Sequence, residues 1–151
     1  MESIWEMGDG RVHFDSLIGN TSTDVLIIGG GIAGILSAYK LKNAGVNCVL
    51  VEAKEILSGI TKNTTAKITV GHGLIYDKLT RRFGIDKARL YLEAQLHALD
   101  EYITLCCNAD CDFEIQDSYV YSLDDRKKIE RESMILNCII ILGVNELLSH
   151  Q

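Results

Sequence analysis

Positive charge is in short supply in this 151-residue sequence: 15 lysines and arginines stand against 21 aspartates and glutamates, a formal net charge of −6 at pH 7. Such a surface repels phosphate backbones and anionic headgroups alike, so neither nucleic acid nor an anionic membrane is the expected main partner. A membrane-spanning run is also missing. The apolar stretch MILNCIIILGV (Met134 to Val144) falls short of the about 20 residues that a bilayer core requires, and reads as a buried element or an exposed, β-prone liability. Cysteine is present but unpatterned. Cys48, Cys106, Cys107, Cys111 and Cys138 form an odd set with no repeated spacing, and no signal peptide is recognisable before them, so free thiols in a reducing cytoplasm are expected. CCNADC (Cys106 to Cys111) has no second Cys or His pair at a spacing that would close a tetrahedron, and no metal site is expected there.

What is present is an ordinary globular composition, 47% hydrophobic and 24% charged, enough for one core or for a piece of a larger one. Residues 1–23 carry scattered Gly and polar residues and an isolated Trp5, and read as an irregular lead-in packed on the surface of the neighbouring domain. At Asp24 the pattern changes. DVLIIG is a short apolar run closed by Gly, the signature of a strand buried on both faces in a parallel sheet. Ile32, Ile35, Leu36, Tyr39 and Leu41 then recur at helical spacing until NAG (Asn43 to Gly45) ends the helix, and NCVLVEA (Asn47 to Ala53) is a second β-branched run. Strand, glycine turn, helix and strand make a βαβ unit.

Gly29, Gly31 and Gly34 fit G-x-G-x-x-G in the context that gives this pattern its meaning. Gly29 permits the tight turn, Gly31 leaves room for a pyrophosphate, and Gly34 allows close helix–strand packing, while the helix start offers N–H groups and its positive dipole end to the anion. Glu52 lies 18 residues beyond Gly34, at the end of the second strand, near the about 20 expected of an acid that accepts from a ribose diol. A 2′-phosphate would be repelled. FAD and NAD fit; NADP does not.

The choice between FAD and NAD rests on a resemblance. DVLIIGGGIAG, VLVEA and GITKNTTAKIT, in that order, resemble the amino-terminal part of the FAD-dependent amine and amino-acid oxidoreductases related to D-amino-acid oxidase and glycine oxidase. The lead-in and HGLIY are most similar to a bacterial branch whose longer members carry a carboxyl-terminal Rieske domain. The likeness extends from about Trp5 to about Glu132 and implies FAD as cofactor. It also implies that the stretch after the second strand wraps the flavin, through Thr61, Thr64, Thr65 and Ala66, with Lys54 beside the adenosine. Ile60 stands where the family usually has a hydroxyl residue. The candidate cofactor-binding residues are thus Gly29, Gly30, Gly31, Ile32, Ala33, Gly34, Glu52, Ala53, Lys54, Thr61, Thr64, Thr65 and Ala66.

The remainder reads as scaffold. Ala88, Leu92, Leu96, Leu99, Ile103 and Cys106 form an apolar stripe on a helix starting near Asp86. His97 on that helix is a surface or packing residue, and His72, in GHG, belongs to a flexible turn. CDFEIQDSYVYSL (Cys111 to Leu123) alternates as a strand does, and Asp124 is placed to cap a helix through DRKKIERESMILN.

The expected fold class is α/β: the amino-terminal βαβ of a Rossmann-like FAD/NAD(P)-binding domain followed by the beginning of a substrate domain, incomplete. The expected divisions are 1–23 as lead-in, 24–84 as FAD-binding unit with its flavin-wrapping loop, and 85–151 as a helix–strand–helix start of the substrate region. Only two parallel strands are visible where a dinucleotide sheet has several more, so the chain reads as the truncated amino-terminal portion of a flavoenzyme. A sheet edge and part of a face would then be exposed, inviting self-association. The resemblance implies oxidation of C–N bonds in small amines or amino acids by hydride transfer to the flavin, with no catalytic residue identifiable here. The other readings are a non-catalytic remnant, a small interaction protein reusing the βαβ unit, or, more weakly, an NAD-binding subunit.

Overall fold

The computed structural model describes residues 12–121, 123 and 125–149. The chain divides into two compact units, Met1–Lys67 and Ile68–Gln151.

In the first unit, strand β1 (Val25–Ile28) and strand β2 (Cys48–Val51) pair in parallel, Val25 opposite Cys48 and Ile28 opposite Val51. Both are short runs of Val, Ile, Leu and Cys, side chains suited to a pleated, half-buried surface. Helix α1 (Ile32–Asn43) connects them and packs against both, completing the expected βαβ unit. The strand pair is fastened at its start by the Thr23 hydroxyl, which donates to the Asn47 carbonyl at 3.0 Å. The carboxyl end of α1 is closed as its sequence predicts: Gly45 takes φ +74°, and the Ala44, Gly45 and Val46 N–H groups return to the Lys40, Lys42 and Leu41 carbonyls.

One expectation changes. The strands are of the type buried on both faces, yet β1 alternates, with Val25 and Ile27 half-buried and Leu26 and Ile28 at 55% and 81% exposed. Side chains of a strand point to opposite faces in turn, and among the described residues this unit supplies one helix, sufficient for one face. The lead-in also departs from its reading: residues 12–23 are irregular, but Val12, Phe14, Leu17 and Ile18 are exposed instead of packed. An aperiodic segment presents no single apolar face to bury. Trp5 lies outside the described residues.

The second unit is helical. Helix α2 (Tyr76–Phe83) turns at Gly84, where φ is +87°, into helix α3 (Ile85–Cys107), and helix α4 (Arg126–Ser149) packs against both. The sequence groups the α2 segment with the residues before it; in the structure it shares the core of α3 and α4. That core is Tyr76, Ala88, Leu92 and Ile139, flanked by Ile75, Leu79, Tyr91, Ile135 and Leu136. The α3 stripe is buried at Ala88 and Leu92, half-buried at Leu99, Ile103 and Cys106, and exposed at Leu96. His97 and His72 are both exposed.

Glu132 of α4 ties this unit together. Its buried carboxylate accepts the Tyr76 and Asp77 N–H groups, each at 2.7 Å, satisfying two of the donors that a helix start leaves without intrahelical partners. Tyr76 donates its hydroxyl to the Val70 carbonyl at 2.8 Å and meets Tyr91 edge to face. Burial, then Tyr91, then Glu132 push the Tyr76 phenol up to about 12. Asp77 is ion-paired with Arg81 and lies 3.8 Å from Arg131.

Three readings of this half need correction. Cys111 to Leu123 forms no strand among its described residues, and Ile115, Tyr119 and Tyr121 are exposed; alternation marks two faces but supplies no partner for the backbone. Asp124 lies outside the described residues, and the capping carboxylate is that of Asp125, which accepts the Lys128 N–H at 3.2 Å. The β-prone run CIIIL (Cys138 to Leu142) is helical, within α4. Ile135, Leu136 and Ile139 fall at helical spacing on the α2–α3 core, and that packing overrides β propensity. Among the described residues no helix is long and apolar enough to cross a membrane, and no group of three or more metal-ligating side chains converges.

Candidate cofactor-binding site

The site is built where β1 gives way to α1. Gly29 leaves the strand at φ +111°, a conformation L side chains rarely adopt, while its N–H still reaches the Val51 carbonyl at 2.8 Å. Gly34 has no room for a side chain, since a Cβ there would stand 2.0 Å from the Gly29 carbonyl oxygen. The third glycine of the fingerprint therefore lets the first helical turn close onto the strand exit. Gly31 differs: the nearest atom to its would-be Cβ is the Thr61 hydroxyl oxygen at 3.5 Å. The fold does not fill that space, which adjoins the amino terminus of α1.

Gly30 is the buried residue of the turn. Its N–H donates to Glu52 Oε2 at 2.7 Å and its carbonyl accepts the Leu57 N–H at 2.8 Å. A Cβ on Gly30 would come within 2.9 Å of Ile56 Cγ2 and 3.2 Å of Glu52 Cβ. The segment after β2 thus folds down over the turn, and Leu57 takes φ +59° within it. Glu52 Oε1 accepts the Lys54 N–H at 3.0 Å. Bonds from the Gly30, Lys54 and Ala53 amides, with the Lys54 charge, hold the Glu52 carboxyl below the ordinary carboxylate range. Its charge is therefore present at neutral pH, on an exposed side chain.

The short 3-10 helix Ile60–Asn63 brings Thr61 back to the turn, where its hydroxyl oxygen accepts the Ile32 N–H at 3.2 Å. A protein oxygen thus occupies one donor at the point where an anion would dock on α1, and Ala33 and Gly34 continue that first turn. Beyond it, the Thr64 hydroxyl accepts the Ala66 N–H at 3.3 Å, and Ala66 takes φ +53°. Thr64, Thr65 and Ala66 are exposed, as are Ala53, Lys54 and Ile60. The glycines, Glu52 and Thr61 are brought together directly. Ile56 and Leu57, which clasp Gly30, do not stand out in the sequence: an apolar pair in a loop carries no mark of the glycine it will cover.

A model of the FAD dependent oxidoreductase family matches residues 24–145. The chain belongs to that family. The fold class expected from the fingerprint is thereby established as α/β, a partial Rossmann-like FAD-binding domain. Among curated proteins, it is similar to a putative Rieske 2Fe-2S iron-sulfur protein, YhfW, of Bacillus subtilis, 42% identical over 136 residues, covering 87% of this chain and 26% of the relative. It is also similar to gamma-glutamylputrescine oxidoreductase of Escherichia coli, 31% identical over 77 residues, 51% of this chain and 18% of the relative. Flavin-containing amine oxidase B of Cavia porcellus is 29% identical over 89 residues, 52% of this chain and 17% of the relative. The chain spans about a quarter or less of the length of each. No solved structure matches it significantly.

The family's cofactor fits the residues present. The unfilled space at Gly31, the amino terminus of α1 beside it, and the charged Glu52 carboxylate just after β2 offer an approach for a pyrophosphate, donors for it, and an acceptor for a diol.

Proposed function

We propose that this chain is the cofactor-binding amino-terminal portion of an FAD-dependent oxidoreductase that oxidises C–N bonds of small amines or amino acids, and that it has no turnover by itself. Gly31, Ile32, Ala33 and Gly34 would hold the pyrophosphate, Glu52 the ribose diol, Lys54 would lie beside the adenosine, and Thr61, Thr64, Thr65 and Ala66 would follow the flavin. When bound, FAD supplies the acceptor for a hydride from the carbon next to the substrate nitrogen. The protein's part is to orient and to exclude water. The second unit would be the beginning of the substrate region. The substrate class is supported by the relatives, two of which are named for amine or glutamylputrescine oxidation.

The observation that carries this reading is the contrast between Gly34, where a Cβ would stand 2.0 Å from a carbonyl oxygen, and Gly31, where the nearest atom is the Thr61 hydroxyl oxygen at 3.5 Å, so that the fold itself does not demand a glycine there. Titrating the chain with FAD and following quenching of flavin fluorescence tests it. Binding should be saturable, NADP should not compete because Glu52 repels its 2′-phosphate, and Gly31→Val should lose at least tenfold in affinity while keeping the circular dichroism of the parent. Equal binding by Gly31→Val, or binding of NADP without FAD, overturns the assignment.

The exposed face of β1 favours one further reading, a non-catalytic protein that self-associates through Leu26 and Ile28. Absence of FAD binding together with a discrete dimer that Ile28→Lys dissociates is the outcome that selects it.

A further inference from the structure

The carboxyl end of α3 gathers two thiols that the cofactor site does not use. The helix stops at Cys107, and the chain turns back through Asn108, whose side-chain amide donates to the Thr104 carbonyl at 2.8 Å. The Ala109 N–H reaches the Cys106 carbonyl at 3.1 Å, and Cys111 Sγ approaches the same carbonyl oxygen at 3.6 Å. This return sets the Cys111 thiol against the Cys106 main chain, close enough to the Cys106 thiol for the two side chains to interact. Cys107 is one residue further round the helix, about 100° away, so it faces another direction. No third metal-ligating side chain joins the pair among the described residues.

We propose that Cys106 and Cys111 are a reversible oxidative modification site, closed to an intrachain disulfide by a peroxide. Cys111 is exposed and meets the oxidant first; Cys106 is half-buried behind it. Burial, and then the neighbouring Cys111, push the Cys106 thiol up, which suits it to the second, resolving step. The Cys111 thiolate attacks one peroxide oxygen, the O–O bond breaks, and hydroxide leaves, giving the sulfenic acid. The Cys106 sulfur then attacks the Cys111 sulfur, the S–O bond breaks, and the Cys106 proton departs with that oxygen as water. Two thiols are oxidised and one peroxide is reduced to water.

The test uses the full chain, hydrogen peroxide as probe, and alkylation under denaturing conditions followed by intact mass measurement. The reduced chain has five alkylatable cysteines. Peroxide should protect two of them with a loss of about 2 Da on a monomer, and dithiothreitol should restore all. Cys107→Ser should behave as the parent in this respect, whereas Cys106→Ser and Cys111→Ser should each abolish the 2 Da loss and leave a trapped sulfenic acid at most at the remaining partner. A 2 Da loss that survives Cys106→Ser, a crosslink between chains in place of the internal one, or stable addition of oxygen with no thiol pairing overturns the proposal. None of these readouts depends on flavin, so the proposal stands or falls apart from the cofactor assignment.

Discussion

Both halves of the chain use the same device, a glutamate whose two carboxylate oxygens accept two main-chain N–H groups, and they set it in opposite surroundings. In the first unit Glu52 takes Gly30 and Lys54 at 2.7 and 3.0 Å on an exposed side chain. In the second, Glu132 takes Tyr76 and Asp77 at 2.7 Å each from a buried position. Hydrogen bonding is alike in the two; replaceability is not. Water or a ligand hydroxyl can compete for an exposed carboxylate, so Glu52 can exchange partners during binding. A buried carboxylate has no such substitute, and removing it leaves donors unpaired. One glutamate therefore remains open to other partners, and the other is committed to holding α4 to the start of α2.

The largest effect that separates them is expected from Glu132→Ala. Two buried N–H groups lose their acceptor at once, and the second unit should lose about 3 kcal/mol. Hydrogen exchange should report this as faster opening of α2 with little change at β1 and β2. Glu52→Ala should do the reverse, leaving the helices protected and weakening FAD binding. If the two variants disturb the chain alike, the contrast fails.

Gly34→Ala comes next. Its Cβ would fall 2.0 Å from the Gly29 carbonyl oxygen, so turn and helix must part, at about 2–3 kcal/mol confined to the first unit. Circular dichroism and FAD titration together should show loss of both structure and binding, where Gly31→Val loses binding alone.

A pH series sharpens the comparison from both ends. The Tyr76 phenol titrates at about 12 in the fold against 10.0 ordinarily, so the unfolded chain releases its proton first. The second unit should therefore be stable below pH 10 and lose on the order of 2 kcal/mol as pH rises toward 12, an effect that Tyr76→Phe removes from the unfolding curve. Glu52 has the opposite sign. Its folded carboxyl lies below the ordinary value of 4.5, so its contribution is complete above that value and is lost as pH falls below it. The smallest effect expected is a loosening of the turn in acid, read as faster exchange at Gly30 and unchanged exchange at Ala88.

What can be read from the sequence divides along the same line. The βαβ unit, its glycines and the position of Glu52 are legible because each is a local pattern: a run, a spacing, a helix stop. The reach of Thr61 to Ile32 spans 29 residues, and that of Glu132 to Tyr76 spans 56; neither leaves a mark at either end. Glu132 sits in the charged stretch RKKIERES, where nothing in the residue order singles it out, yet its side chain is buried. Cys111 to Leu123 misleads in the other direction, because alternation specifies faces and cannot specify a neighbouring strand. The cap of α4 is expected at Asp124, but the observed acceptor is the adjacent Asp125, two identical residues that sequence cannot rank.

The Glu52 clasp bears on any attempt to redesign cofactor choice. Converting an acid at this position to a small or neutral residue, so that a phosphorylated ribose is admitted, is the obvious first step. Here the same carboxylate also pins Gly30, under Ile56 and Leu57, so that, with Glu52 in its proposed role, the substitution would change the ligand contact and unlatch the glycine turn together. Even shortening to Asp withdraws the oxygens by one methylene from a 2.7 Å contact. A successful switch must therefore arrive as a set, with a new acceptor for the Gly30 amide supplied from the residues after β2 before the acid is given up.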